Sequence, residues 1–256
     1  MDYRNYDRNF SLQGKVALIT GGAKGIGKAI ASVYAEKGAN LVLIDISPEL
    51  NGTVKSLVAK GSRILGLKVD LRLKEELAIA VERTIKEFGR IDILVNNAGV
   101  VFLDEAENLP EEQWDMTMDV NLKAPFLLSQ IVAKVMMRQN HGRIINIASQ
   151  AGMISLDRHV AYTASKAALI GMTKVLACEW AEYGIRVNAI SPTVILTELG
   201  EKAWAGEVGE AMKKKIPVHR FGYPEEVAAC AVFLAADASD LITGANLVID
   251  GGYTAQ

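Results

Sequence analysis

Short apolar runs, scarcely interrupted by polar residues, recur along the chain at Val16–Thr20, Leu41–Asp45, Ile64–Val69, Ile91–Val95, Ile144–Ala148, Arg186–Ile190 and Asn246–Asp250. Such runs are expected of strands covered on both faces. Longer stretches with apolar residues at helical spacing separate them: Lys28–Glu36, Lys74–Phe88, Pro110–Gln139, Tyr162–Tyr183 and Pro224–Ala236. Pro110 and Pro224 suit first helical turns, and Gly38 and Gly184 suit helix ends. This alternation predicts an α/β fold. No repeat, low-complexity segment or linker divides the chain. Residues 1–13 read as a polar arm, mobile or held at an edge, and 14–256 as one domain.

The first run opens into Gly21-Gly22-Ala23-Lys24-Gly25-Ile26-Gly27, then a helical pattern, then the run ending at Asp45. Strand, glycine loop, helix and strand in this order form a βαβ unit of the dinucleotide-binding kind. Gly21 permits the turn, Gly25 admits a pyrophosphate close to backbone, and Gly27 lets helix and strand approach. The anion is expected at the helix N-terminus. Asp45, at the next strand's end, can accept hydrogen bonds from ribose hydroxyls and would repel a 2′-phosphate. It therefore argues for NAD over NADP, while Lys24 pulls the other way. Asp70-Leu71 can flank the adenine. Asn96-Asn97-Ala98-Gly99 reads equally as cofactor contact or as a structural amide cluster.

Composition mostly excludes. The chain has 256 residues, a net charge of −2 and 23% charged residues. That balance gives no footprint for nucleic acid or an anionic membrane. No apolar run is long enough for a membrane span, and the start lacks a secretory h-region, so a cytoplasmic location is expected. Cys178 and Cys230 sit in apolar helical patterns and read as buried small hydrophobes. His141 and His219 read as surface residues. No residue cluster has metal-ligand spacing, and no metal is expected.

The candidate chemistry lies in Ser149–Lys166. On a helix, Tyr162 and Lys166 share one face. A phenol ionises near pH ~10, and a neighbouring ammonium lowers that value. The pair suits general acid/base work, with Ser149 able to bond the same substrate oxygen. Ser149 also follows a strand, at the end where open α/β sheets bind ligands. Asn121 falls within a helical pattern, and its amide could hold a water near the lysine. A loop of 193–215, carrying Trp204 and Met212, suits a substrate lid.

Together these elements resemble the short-chain dehydrogenase/reductase family along essentially the whole chain. Thr20-Gly21-x-x-x-Gly25-x-Gly27, Asn96-Asn97-Ala98-Gly99, the set Asn121, Ser149, Tyr162 and Lys166, and Pro192 with Thr197 each match a family motif. Thr193 stands where the family usually has glycine, so the loop there is expected to depart from the family's geometry. The resemblance implies a single-domain doubly wound (Rossmann), mainly parallel seven-stranded sheet with helices on both faces. It divides the domain into a cofactor half, about 14–100, and a catalytic and substrate half, about 101–256. It implies Asn121, Ser149, Tyr162 and Lys166 as the catalytic tetrad. NAD would be held by Gly21, Lys24, Gly25, Ile26, Gly27, Asp45, Asp70, Leu71, Asn97, Ala98, Gly99, Tyr162, Lys166, Pro192, Ile195 and Thr197. A homotetramer is implied, joined through the helices around Asn121 and Tyr162.

The segment after Pro192 resembles the family's polyol dehydrogenases, which oxidise sugar alcohols to ketoses. Ser149, Gln150, His159, Tyr162 and Thr193 are candidate substrate contacts, with Asp157 and Glu198 as further polar groups. The rival enzyme is a 3-oxoacyl-acyl-carrier-protein reductase using NADPH, for which Arg138 and Arg143 would be part of a docking patch. A third reading, from another class, is a catalytically idle dinucleotide-binding scaffold.

Overall fold

In a computed structural model, whose described residues are 9–58, 61–198, 200 and 204–256, the first apolar run forms β1 (Val16–Thr20), buried at every position. Its side chains alternate between two cores. Ala17 and Ile19 join the cluster under α1 (Gly25–Glu36), while Leu18 joins the cluster on the opposite face. The same division runs through β2 (Asn40–Asp45), β3 (Ile64–Lys68), β4 (Ile93–Asn96), β5 (Gly142–Ile147) and β6 (Ile185–Pro192). A strand with apolar residues on both faces needs helices on both.

One face is covered by α1, α2 (Leu50–Val58) and α8 (Pro224–Ala235). There the Tyr34 hydroxyl donates to the Ala231 carbonyl at 2.9 Å, tying α1 to α8. The other face is covered by α3 (Lys74–Phe88), α5 (Ala124–Gln139) and α6 (Val160–Trp180), through residues such as Leu77, Val132 and Trp180. With β7 (Asn246–Ile249) at one edge, the strand order is β3-β2-β1-β4-β5-β6-β7 and every pairing is parallel. The expected doubly wound seven-stranded fold is observed. The order reverses between β1 and β4, and ligands bind at such a switch point.

Two expectations are corrected. The stretch Pro110–Gln139 is not one regular helix. It comprises α4 (Glu111–Met118), a π-helical turn at Asp119–Lys123, and α5. Nor does the domain begin at residue 14. Leu12 is fully buried and Phe10 meets Phe233 edge-on at 6.1 Å. Two apolar residues among polar neighbours show no periodicity, so their docking is invisible in sequence. Residues 1–8 of the predicted arm lie outside the described residues.

In the predicted lid, α7 (Glu207–Lys215) carries Met212 into a small core with Ile216 and Phe221, against which Trp204 packs. Among the described residues no helix is long and apolar enough to cross a membrane.

Candidate active site

The loop after β1 is braced from β4. Thr20 Oγ1 accepts from the backbone N–H groups of Asn97 (3.0 Å) and Ala98 (3.1 Å). Asn97 Nδ2 donates to the carbonyls of Thr20 (2.9 Å) and Gly21 (3.2 Å). Gly21 and Gly25 have φ of +66° and +55°, where a side chain is disfavoured. A Cβ on Gly27 would overlap the Gly21 carbonyl. The first turn of α1 has no side-chain cap, leaving its N–H groups to face the cleft. Asp45 accepts from Ala23 N and Ser47 N, both at 2.9 Å. The resulting cleft has a volume of about 710 Å³ and runs from Ile46 and Leu71 past the glycine loop to Gly99 and Thr197.

These features fit a dinucleotide: an anion cradle at a helix start, a ribose-side carboxylate and an apolar slot. Gly21, Lys24, Gly25, Ile26, Asp45, Asp70, Leu71, Asn97, Ala98 and Thr197 all line the cleft. The amides of the Asn-Asn pair are structural. Asn96 Nδ2 bonds Ser129 and Asn146 inside the core, and that of Asn97 steadies the glycine loop. Asp70 is held by Arg72 Nε at 2.9 Å, and that contact keeps its carboxyl below the ordinary range.

Beyond Gly99 lies the candidate chemistry. A Cβ on Gly99 would stand 3.7 Å from Lys166 Nζ and 3.3 Å from Asn121 Oδ1. Ser149 follows β5, and its Oγ accepts from Ala151 N at 3.1 Å. Tyr162 lies in the first turn of α6, with its hydroxyl close enough to Ser149 to feel it. Lys166, one turn on, is buried, with Nζ 5.6 Å from the Tyr162 ring centroid and 2.7 Å from the Ile147 carbonyl. Burial pushes the lysine down to about 8. It also raises the Tyr162 hydroxyl, with Ser149 pulling the other way. The expected lowering of the phenol is therefore not the net result here, because desolvation outweighs the influence of Ser149.

The sequence model of a family described as enoyl-(acyl carrier protein) reductase matches residues 21–254. An NAD-dependent glycerol dehydrogenase of Listeria innocua is 57% identical over 254 residues, covering 99% of this chain and 99% of its own. The chain belongs to the short-chain dehydrogenase/reductase family. A D-threitol dehydrogenase of Mycolicibacterium smegmatis is 52% identical over 249 residues, 97% of this chain and 96% of its own. A solved structure from Agrobacterium tumefaciens with NADP bound is 37% identical, with a TM-score of 0.89 over 98% of this chain and 100% of that one.

Asn121 stands near the lysine, both within 4 Å of where a Gly99 Cβ would lie, but it is held in an unexpected way. Its Oδ1 accepts from Val100 N at 2.8 Å, and its Nδ2 donates to Val100 O at 2.9 Å and Ser165 Oγ at 3.2 Å. Both amide protons are thus engaged within the protein, and Oδ1 keeps one lone pair for a further donor such as the expected water. What the site offers in addition is the π turn, which displaces backbone carbonyls from the α pattern and occurs often at functional sites. Periodicity carries no sign of it.

Of the expected substrate contacts, Gln150 is buried with Oε1 unpartnered, and Thr193 Oγ1 is likewise buried without a partner among the described residues. Thr193 causes no strain, since its φ lies outside the positive region. Pro192 ends β6, and the buried Ile195 bridges Gly222. Thr197 closes over the glycine loop, 3.3 Å from where a Gly25 Cβ would stand. His159 sits edge-on to Tyr162 at 6.1 Å, and its Nδ1 meets the Asp157 carbonyl. Asp157 and Glu198 are exposed.

Three further expectations fail. Arg143 is buried, bonding Asp240 at 3.0 Å, and cannot belong to a docking patch. His141 is partly buried beside Lys15 Nζ at 3.3 Å rather than free on the surface. Cys178 is exposed and Cys230 half-buried. The outer side of α6, where the exposed Val175 also lies, is apolar without being covered by this chain, so hydrophobicity misreports burial there.

Proposed function

We propose that the protein oxidises a polyhydroxylated secondary alcohol to a ketone with NAD as cofactor. The observation that carries the reading is the Lys166 ammonium 5.6 Å from the centre of the Tyr162 ring, with Ser149 beside the phenol, next to Gly99 of the glycine-loop cleft. Bound NAD supplies the hydride acceptor and a positively charged ring. Tyr162 takes the hydroxyl proton of the alcohol, and Ser149 holds the same oxygen in line. Lys166 stabilises the phenolate as it forms and would bond the nicotinamide ribose when the cofactor is bound. Asn121 locks Val100 and Ser165 together, fixing the wall behind Lys166.

Asp45 at the ribose end and the identity to an NAD-dependent relative support NAD. The glycerol and threitol dehydrogenases support a polyol. The 3-oxoacyl reductase reading loses one of its two docking cations, since Arg143 is internal while Arg138 is exposed. We also propose a homotetramer, supported by the exposed Phe126 and Val175 on α5 and α6, and a cytoplasmic location.

The test is a panel of polyols and an acetoacetyl thioester, each with NAD(H) and NADP(H), followed by absorbance. NADH formation from a polyol supports the reading, and selective NADPH-driven reduction of the thioester overturns it. The mass in solution at micromolar concentration tests the assembly, against which a monomer would count.

A further inference from the structure

Two ion pairs stand at the adenosine end of the cleft, and they differ in kind. Arg72 grips Asp70 of its own turn through Nε and the main-chain N–H, at 2.9 and 3.0 Å. Lys24 of the glycine loop instead reaches Glu49, just before α2, at 3.7 Å. Both side chains line the cleft, and they are 63% and 54% exposed. Asp45 lies on the same wall, its carboxylate fixed by Ala23 N and Ser47 N.

A pair this exposed contributes little to the fold. It matters more to whatever anion comes near. A 2′-phosphate on the ribose side would bring close to two negative charges toward Asp45. Lys24 is the cation in the glycine loop beside it, and Glu49 engages it. With Glu49 ionised, Asp45, Glu49 and Lys24 sum to one negative charge, and without it they sum to zero.

Resting on the NAD reading above, we infer that Glu49 is a specificity-determining residue, excluding NADP by engaging Lys24. Asp45 supplies the ribose acceptor, while Glu49 decides whether the glycine-loop cation is free to meet a phosphate. Glu49→Gln keeps the size and polarity of the side chain and removes its charge. Freeing the Lys24 ammonium to meet a phosphate is worth about five- to tenfold in binding at low salt.

The experiment is equilibrium titration of NADH and NADPH by fluorescence, with 5′-ADP and 2′,5′-ADP by calorimetry. It uses the wild type, Glu49→Gln, Lys24→Met and the double variant. Glu49→Gln should lower the ratio of the NADPH and NADH dissociation constants about five- to tenfold, and the fragment ratio alike. The gain should shrink in about 0.5 M salt and vanish in the double variant. A ratio within about twofold of wild type overturns the inference, as does a gain that survives loss of Lys24. Wild-type protein that binds neither dinucleotide overturns the cofactor reading itself. NADH binding with an unmoved ratio removes only the role of Glu49.

Discussion

Lys166 donates to the carbonyl of Ile147 at 2.7 Å, so the buried cation is moored to the strand that delivers Ser149 rather than to the phenol it serves. Burial holds its pKa at about 8, below the unfolded value of about 10.4. The folded state therefore carries a penalty that is full below pH 8 and is relieved as pH rises toward the unfolded value. The penalty is at most about 3 kcal/mol, and losing the Ile147 bond returns about 1 kcal/mol. Lys166→Met should melt several degrees above wild type at pH 7 without dinucleotide, the gap closing near pH ~10. A lower melting temperature at pH 7 would mean that the ammonium's contacts outweigh its burial.

Tyr162→Phe removes the proton acceptor and keeps the ring. Turnover should fall by at least about 10²-fold, while NADH affinity changes little. Because burial raises the phenol, wild-type oxidation should increase with pH across the neutral range. Steady-state rates and NADH titration check both statements, and near-normal turnover would remove Tyr162 from the mechanism.

Gln150→Leu and Thr193→Val delete the unpartnered oxygens without enlarging the pocket. Each should raise KM for the best polyol about tenfold or more, the cost of leaving a substrate hydroxyl unpaired. KM for a simple secondary alcohol should move little. Equal effects on both substrates would show that these residues support the loop and do not read hydroxyls.

His141 supplies a pH dependence far from the chemistry. Burial pushes its pKa down to about 4, and the Lys15 and Arg143 cations add to the shift, opposed by Asp92 and Asp237. Its neutral form is stabilising above the unfolded pKa of about 6.5, and that stability drains away as pH falls toward 4. About 2 kcal/mol is at stake, allowing for partial exposure. His141→Gln should flatten the loss of melting temperature over this interval, read by thermal melts in a pH series.

The strands were legible because runs such as Val16–Thr20 and Ile144–Ile147 are apolar on both faces, and only a doubly covered sheet uses such runs. Glycine spacing and the four-residue step from Tyr162 to Lys166 likewise expose the cleft and the site. What stayed hidden depends on long-range meetings. Arg143 looks solvent-bound until Asp240, far along the chain, arrives beside it. His141 gains its surroundings from Lys15, just before β1 and far away in sequence. Glu49 reads as an ordinary charge before a helix until Lys24 stands opposite. The Asn121 amide looked free because nothing in sequence shows Val100 folding back upon it.

The wide turn at Asp119–Lys123 makes this stretch tolerate a change of length in one direction only. Excising a single residue would restore a regular helix and leave the downstream face unrotated, because the wide turn takes up one residue more than an α turn over the same rotation. Leu128, Val132 and Met136, now in the interior, would keep their places. An added residue, with no second wide turn to take it up, would swing them off the sheet by about 100°.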